Sequence, residues 1–292
     1  ALHRETLSAM KPGIRKGLAN FWLSRVDDAI DKLERKSSPA LAKAAKTDET
    51  HPLHPWVRLM GLKDDEALAR EWDALHRRHE ERKAEKARRI AEATFYADLR
   101  EQETYDRWFK NGTGLGHEVS PAGSFAIAPE GDSVLTGIYP RGIYSHLVTD
   151  KDNATLHSVF HRAQGESASI RAIGSNATCR LVVRSYPLIH NGLHPAPSLP
   201  DSFQWINQKK YSYWNGEQLY FQLNTGPDQT AKVTEGRSWF GVTEVYGGDE
   251  PMPHVGTPVV ALPGDLPEVT GRESLVAFYR AGLRAALEAW KS

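Results

Sequence analysis

The spacing of apolar residues divides the chain into helical ends and a middle part of short strands. Apolar residues recur at helical intervals from Ile14 to Leu33, and this pattern predicts a first amphipathic helix. A second helix is predicted to begin at Asp64 and Asp65, which are suitable N-terminal caps, and to extend to about Phe109. Residues 1–110 are therefore predicted to form a helical region with two main helices.

The chain ends in another predicted helix. Thr270 and Glu273 have the spacing of a capping box, and an apolar stripe follows from Leu275 to Trp290. Such a stripe must pack against other apolar surface, which the N-terminal helices offer. Residues 266–292 are therefore predicted to pack on those helices, so that both chain ends form one bundle of long helices.

The middle of the chain, residues 111–265, shows a different pattern. Its short segments alternate apolar and polar residues with a period of two, as at Leu219, Phe221 and Leu223, and turn-forming residues separate them. No helical pattern lies between the segments, which favours a sandwich over a parallel α/β sheet. The predicted fold is α+β: an antiparallel, jelly-roll-like β-sandwich inserted in a bundle of long helices.

Composition and charge exclude some functions. The 292 residues include 37 basic and 37 acidic ones, so no net field attracts nucleic acid or an anionic membrane. The basic stretch His76–Arg89 lacks interleaved aromatic residues and is interpreted as a solvated helix rather than a nucleic-acid contact. No apolar run approaches the roughly 20 residues of a membrane span. We therefore expect neither nucleic acid nor a membrane span.

The sequence contains no recognisable catalytic motif. It has no G-x-S-x-G nucleophile, no phosphate loop, no dinucleotide-binding glycine pattern and no H-E-x-x-H zinc site. The glycine-rich run Asn111–Gly116 leads toward strands and is interpreted as a flexible junction. The single cysteine, Cys179, lies in an apolar run and is predicted to be a buried core thiol. The chain is therefore predicted not to be an enzyme.

A cluster of aromatic residues between positions 205 and 239 is the most suggestive feature. A sugar ring presents apolar faces and a polar rim, and flat aromatic side chains beside amides match both. Large aromatics also fill sandwich cores, and Phe221 and Trp239 are interpreted that way. The predicted ligand-binding residues are Trp205, Tyr211, Tyr213, Trp214 and Asn215.

A polar turn at residues 150–153 is a candidate calcium site. Asp150, Asp152 and Asn153 place three oxygen-bearing side chains within four positions. The segment does not match an EF-hand, because Thr155 and His161 occupy the positions of its glycine and its glutamate. An ordinary polar turn between two strands explains the same residues, and this alternative stays open beside the calcium cofactor.

Two further chemistries stay open. His146, His157 and His161 offer three imidazoles for a transition metal, although strand histidines are more often surface or core residues. Glycoside hydrolysis would need two carboxylates facing each other across a cleft, roughly 5–9.5 Å apart. The candidate carboxylates in the middle region are Glu217, Asp228, Glu235, Glu244 and Asp249.

Several stretches carry a family resemblance: Trp108–Gly112, Gly123–Phe125, Gly142–Leu147, Leu181–Tyr186, Trp214–Tyr220 and the closing helix. Their order resembles the large planctomycete cytochrome c-domain proteins, in which two helical regions of unknown function flank an inserted β-domain. The resemblance implies a periplasmic or cell-surface location and an inserted domain similar to a carbohydrate-binding jelly roll. The family's Cys-x-x-Cys-His haem motif is missing, so no haem or electron-transfer role is carried over.

These observations predict a non-catalytic polysaccharide-binding module on a helical stalk, within a larger periplasmic or cell-surface protein. Its partners would be a polysaccharide or oligosaccharide and the other domains of the parent protein. One alternative is a structural or assembly domain without a ligand. A second alternative is an enzyme that acts on polysaccharide through paired carboxylates.

Overall fold

The computed structural model describes residues 13, 16–17, 19–21, 23–24, 54–122, 124–127, 135–147, 149–184, 196–208, 211–226, 238–253 and 266–291. The chain divides into two compact units, residues 1–86 with 254–292 and residues 87–253. The second unit contains the sheets, and it begins before the predicted domain boundary at residue 111.

In chain order, one long helix comes before the strands and another follows them. None of the helices in the described part of the chain is long and apolar enough to cross a membrane. The described positions from 13 to 23 are helical, and the rest of the predicted first helix lies outside the described residues. The helices with complete bounds are α1 (His54–Met60), α2 (Asp65–Ala91), α3 (Gln102–Asp106) and α4 (Arg272–Lys291).

The first unit has its own apolar cluster, in which α1, α2 and α4 meet. Trp56 of α1 packs edge-on against Tyr279 of α4, with ring centres 4.9 Å apart. Trp72 of α2 packs in the same way against Phe278, at 4.8 Å. The C-terminal helix therefore packs on α1 and α2. A bundle of long helices formed by both chain ends is not confirmed; among the described side chains, the contacts come from the first part of α2 and of α4.

The start of α4 is capped, but not by the predicted capping box. Ser274 Oγ accepts hydrogen bonds from the backbone nitrogens of Thr270 and Gly271, each at 2.9 Å. Asp65 Oδ1 accepts a third, from Arg272 N at 3.0 Å. These oxygens satisfy the backbone N–H groups that a helix start leaves without an intrahelical partner. A serine at the third helical position thus replaces the predicted glutamate.

The second predicted helix ends earlier than the apolar spacing indicated. Helix α2 stops at Ala91, and Phe95–Asp98 is a strand. The prediction that the helix runs to Phe109 was wrong because Phe95 and Leu99 are four residues apart. That spacing fits one face of a helix and also one face of a strand. Pairing with a distant strand decided between the two.

The described strands form two larger antiparallel sheets and one hairpin. Sheet A has the order β1-β12-β8-β10, with β5 also paired to β12. In sheet B, β2 pairs with β6, while β6, β7 and β9 pair with β11. The strands are β1 (Phe95–Asp98), β2 (Phe109–Asn111), β3 (Ser124–Ile127), β4 (Leu135–Tyr139), β5 (Ile143–Tyr144), β6 (Thr155–His157), β7 (His161–Arg162), β8 (Ser167–Ser175), β9 (Thr178–Val183), β10 (Gln204–Gln208), β11 (Gln218–Asn224) and β12 (Trp239–Gly248).

One apolar core joins sheet A and sheet B. Sheet A contributes Ile170 and Val242, while sheet B contributes Leu181 and Phe221 to the same cluster. Cys179 is buried here, and burial raises the pKa of its thiol, so the predicted core position is confirmed. The protein is therefore α+β, with its antiparallel sheets arranged as a β-sandwich. Each sheet keeps one face that points away from the core.

Candidate functional site

The residues predicted to bind a ligand do not form one surface. Tyr211 and Trp214 are 1% and 9% exposed and belong to the core of the sandwich. Tyr213 is 73% exposed, and Asn215 is exposed close to it in the chain. Trp205 is half-buried on β10. A binding platform made of all five side chains is therefore not present.

A tight turn explains why two of these aromatics are buried. Trp214 N donates a hydrogen bond to Tyr211 O at 3.0 Å, which closes a single 3-10 turn after β10. The Tyr211 ring lies nearly parallel to the core ring of His161, with ring centres 6.4 Å apart. The neighbouring residues are polar, so the sequence pattern indicated exposure, whereas the turn directs the large rings inward.

The predicted calcium turn is a polar turn in the structure. Asp152 Oδ1 accepts a hydrogen bond from Thr113 Oγ1 at 2.9 Å, while Asp150 and Asn153 are exposed. No group of three or more His, Cys, Asp or Glu side chains in the described part of the chain could hold a metal ion. Calcium at this turn stays a prediction.

The three histidines considered for a transition metal have separate environments. His146 stacks on Trp239, with ring centres 3.7 Å apart. His161 stacks on Phe95 in the core, at 4.1 Å. His161 lies opposite the core residue Leu219 on β11, whereas His157 lies opposite Gln222, three residues further along, and so points to the other face of sheet B. Each of the three imidazoles therefore packs against a different set of aromatic rings.

A more extended candidate site lies on the outer face of sheet B. In β11, buried and half-buried residues alternate along the whole strand. Leu219, Phe221 and Leu223 point into the core. Because successive strand residues point to opposite faces, Tyr220 and Gln222 point outward. The same alternation places polar and aromatic side chains outward on β2, β6 and β9.

The pairing of the strands aligns these outward side chains in rows across the sheet. Gln222 lies opposite His157 on one side and Arg180 on the other, and Phe109 is paired with His157. Two residues further along β11, Asn224 lies opposite Thr155 and Thr178, and Asn111 is paired with Thr155. Side chains opposite each other in antiparallel strands lie within contact distance.

One part of this face is a row of aromatic rings, called here the aromatic ridge: Phe109, His157, Tyr220 and Phe160. The ring centres of Phe109 and His157 are 5.3 Å apart, and those of His157 and Tyr220 are 5.0 Å apart. Phe160 packs edge-on against Tyr220 at 5.4 Å. Phe109 and Phe160 are 59% and 51% exposed. The ridge therefore offers aromatic surface to a ligand.

Beside the ridge lies an open polar groove of about 790 Å³, called here the amide groove. Its side chains are mainly amides and hydroxyls, which can both donate and accept hydrogen bonds. One such bond already runs between wall residues, from Thr155 Oγ1 to Asn224 Oδ1 at 3.0 Å. The groove is lined by Asn111, Gly112, Asn153, Ala154, Thr155, Asn176, Thr178, Arg180, Ala196, Gln222, Asn224, Thr225 and Gly226.

The glycine-rich run predicted to be a flexible junction forms part of the groove wall instead. Gly112 has a φ of +90°, and a Cβ atom there would collide with the backbone of Asn153. Gly114 N donates a hydrogen bond to Asn153 O at 2.8 Å. Glycine is required at position 112 for this backbone conformation and for the close approach of the two chain segments.

The electrostatics of the face keep its histidine neutral. Burial and the charge of Arg180 both lower the pKa of His157 below its usual value. Burial raises the pKa of Tyr220, with Arg180 acting in the opposite direction. At neutral pH the ridge is therefore uncharged, and Arg180 is a cation close enough to act on both His157 and Tyr220.

The outer face of sheet A carries a different arrangement, built around Glu244. This carboxylate is 1% exposed, and Tyr96 Oη donates a hydrogen bond to its Oε1 at 2.8 Å. Arg100 Nη2 is 3.5 Å from Glu244 and 2.6 Å from Asp98. The hydrogen bonds to Asp98 raise the pKa of Arg100 above its usual value. The two carboxylates share one arginine, as in a structural ion-pair network.

Of the other four candidate carboxylates, the structure describes two. Glu217 and Asp249 are exposed, and Asp228 and Glu235 lie outside the described residues. None of the described residues that line the amide groove is acidic. The described groove residues can therefore form hydrogen bonds with a polar ligand, and they include no carboxylate pair.

Comparisons with known proteins identify no family. No family model matches the chain, and no curated protein sequence matches it at a significant level. Among solved structures, the enzymatically active domain of tailspike protein 4 of bacteriophage CBA120 is similar over 50% of this chain, with a TM-score of 0.28 and 9% identity. The match covers 20% of the tailspike chain, so the shared part is a fifth of that protein's length.

Proposed function

We propose that the chain is a non-catalytic carbohydrate-binding module and that its ligand lies on the outer face of sheet B. The observation that carries the proposal is the aromatic ridge directly beside the amide groove. Sugar rings bury their apolar faces on flat aromatic side chains and pair their hydroxyls with amides. The proposed ligand-binding residues thus differ from those predicted from the sequence, which lie between Trp205 and Asn215, and belong to a face built by four strands.

The strand connections support a jelly roll as the finer description of the sandwich. From β8 to β12 each successive strand belongs to the opposite sheet, so the chain crosses the core at every connection. This alternation between two sheets is typical of jelly rolls, a fold that lectins share with other β proteins. The fold alone does not determine a ligand, so the proposal rests on the side chains of sheet B.

We also propose that the module is part of a larger protein in the periplasm or at the cell surface. The resemblance to planctomycete cytochrome c-domain proteins supports a periplasmic or cell-surface location within a larger protein. The helical unit would then connect the sandwich to the rest of that protein. Fractionation of cells that express the full-length gene product, with an antibody against this chain, tests the location.

A structural or assembly role is the second candidate, because part of the face is apolar. Phe109, Val159 and Phe160 are 59%, 39% and 51% exposed, and exposed apolar side chains that lie together can dock a protein. A protein partner would need the apolar side chains but not the amides of the groove. Loss of binding after substitution of Gln222 or Asn224 therefore favours a sugar ligand.

The proposed function is tested by affinity electrophoresis of the purified chain in gels that contain neutral and acidic polysaccharides. We expect one class of polymer to retard the chain and to keep its length during incubation. Shortening of the polymer would instead show an enzyme. Migration without retardation in every polymer of a broad panel would contradict carbohydrate binding and favour the assembly role.

A further inference from the structure

We propose that the face selects acidic polysaccharides, with a carboxylate or sulfate group of the sugar chain bound by Arg180 of β9, on the outer face of sheet B. This inference rests on the proposed carbohydrate-binding function and adds the chemical class of the ligand. It comes from the cations of the face and from the absence of acidic residues among the described residues that line the amide groove.

Arg180 has the position that such a role requires. It lies opposite Gln222 in the sheet and lines the amide groove, next to the ridge. Its Nε atom is buried and has no hydrogen-bond partner among the described residues. A buried guanidinium donor without an acceptor is costly, and an anionic ligand would satisfy it. The planar guanidinium also matches a carboxylate or sulfate with two parallel hydrogen bonds.

Two more arginines extend the positive charge along the same face. Arg184 follows Arg180 by four positions in the chain, which corresponds to about 13 Å in an extended strand. Its guanidinium lies over the Phe160 ring, 5.2 Å from the ring centre. Arg162 Nη1 donates a hydrogen bond to Gly216 O at 2.7 Å, and Arg162 is paired with Gln218 on β11. The three arginines therefore place positive charge on the same face of sheet B as the aromatic ridge.

Among the described residues, these cations are not neutralised by acids. No ion pair joins Arg162, Arg180 or Arg184 to a described carboxylate. The arginine on the outer face of sheet A differs, because Arg100 is paired with both Asp98 and Glu244. The chain as a whole is neutral, with 37 basic and 37 acidic residues, so the excess on sheet B is local.

The test compares acidic polymers with neutral polymers of the same backbone. Dextran is compared with dextran sulfate, and highly methyl-esterified pectin with polygalacturonate, by affinity electrophoresis of the whole chain. We expect the acidic member of at least one pair to retard the chain more strongly. The two pairs also distinguish the sources of the charge, because one acid is a sulfate and the other a carboxylate. Duplex DNA serves as a polyanion without the sugar hydroxyl pattern.

Matched variants assign the effect to the face. Arg180→Gln is expected to lower the ratio of the affinities for the acidic and the neutral polymer about tenfold or more, the range for a charged hydrogen-bonded contact. Arg180→Lys keeps the charge but loses the paired donors, so it should restore only part of the affinity. Arg184→Gln changes an exposed position and therefore tests the proposal even if the half-buried position 180 tolerates no change. Arg107→Gln, exposed outside the ridge and the groove, is the control.

The outcomes separate the two proposals. Equal retardation by both members of each pair, in the wild type and in the Arg180 variants, would overturn the acidic class and leave carbohydrate binding intact. Retardation by DNA as strong as by the acidic polysaccharides would show that charge alone is recognised, and this would also overturn the inference. Binding to none of the polymers would overturn the proposed function itself.

Discussion

Gln222 Nε2 lies 2.8 Å from His157 Nε2 and donates a hydrogen bond to it. The bond requires a neutral imidazole whose proton is on Nδ1, and burial and Arg180 both lower the pKa of His157 in that direction. His157 belongs to the aromatic ridge and Gln222 to the amide groove. This contact therefore joins the apolar and the polar parts of the proposed binding face.

Truncation of the ridge should weaken ligand binding without unfolding the protein. Phe109 is 59% exposed, so Phe109→Ala should change the free energy of unfolding by no more than about 0.5 kcal/mol. Loss of the ring removes a stacking surface and should weaken binding of the retained polysaccharide about tenfold. Titration calorimetry with that polysaccharide measures the dissociation constant.

Tyr213→Ala is the matched control for Phe109→Ala. Tyr213 is 73% exposed and lies outside the ridge and the groove, so its removal should leave the dissociation constant unchanged. If Tyr213→Ala abolished binding while Phe109→Ala did not, the ligand would lie near the turn after β10, and the proposed face would be incorrect.

Trp214→Ala should be a stability variant rather than a binding variant. The Trp214 side chain is 9% exposed and packs in the core of the sandwich. Truncation of a buried tryptophan costs about 3–5 kcal/mol, because apolar contacts are lost and a cavity remains. Urea unfolding should show a lower midpoint with an unchanged slope, and Tyr213→Ala should unfold like the wild type. A Trp214→Ala midpoint equal to that of the wild type would place this ring outside the core.

The buried imidazole of His161 should make the sandwich less stable in mild acid. It lies nearly parallel to the rings of Phe95 and Phe221, and burial lowers its pKa from 6.5 to about 4. Between these values the unfolded chain binds a proton that the folded chain does not bind. The contribution of this group to stability is thus present above pH 6.5 and is lost as the pH falls toward 4.

The expected loss from His161 is about 2 kcal/mol between pH 7 and pH 5. Urea unfolding of wild type and His161→Phe at both pH values measures it, since phenylalanine fits the aromatic stack but cannot bind a proton. The variant should lose about 2 kcal/mol less than the wild type. His117→Gln, at an exposed position, should behave like the wild type. An identical pH dependence in His161→Phe and wild type would show that folding does not lower the pKa of His161.

Gly112→Ala should destabilise the sandwich, because residue 112 combines a positive φ with close backbone contact. The added Cβ atom would collide with Asn153, so the free energy of unfolding should fall by about 1–3 kcal/mol. Gly116→Ala is the control, because its Cβ atom would meet nothing closer than 3.8 Å. Thermal unfolding of both variants measures the difference. Equal melting temperatures would mean that the run is as flexible as the sequence pattern indicated.

The sequence pattern was a good guide where one element carries its own signal. The alternation in β11 predicted a strand with Leu219, Phe221 and Leu223 in the core, and the structure confirms it. The apolar stripe of α4 likewise predicted a helix that packs through its apolar side. In both segments the periodicity matches one secondary structure and one buried face.

The candidate site was harder to predict because pairing between distant segments creates it. His157 and Gln222 are 65 residues apart, and a register shift of one residue would turn every side chain of a strand to the other face. The sequence did contain a signal for this face: polar and aromatic residues alternate with core residues along the strands, as Tyr220 and Gln222 do in β11. Abundance of aromatics near residues 205–214 was a weaker signal, because a turn buries Tyr211 and Trp214.

Hydrogen–deuterium exchange of the chain with and without the retained polysaccharide tests the central claim, that the ligand lies on the outer face of sheet B. The strands β2, β6, β9 and β11 and the segment around Asn153 should exchange more slowly in the complex, because the ligand covers their outer side. The strands β1 and β10 of sheet A should exchange at unchanged rates. Protection confined to sheet A or to the turn at residues 211–215 would contradict the proposed site.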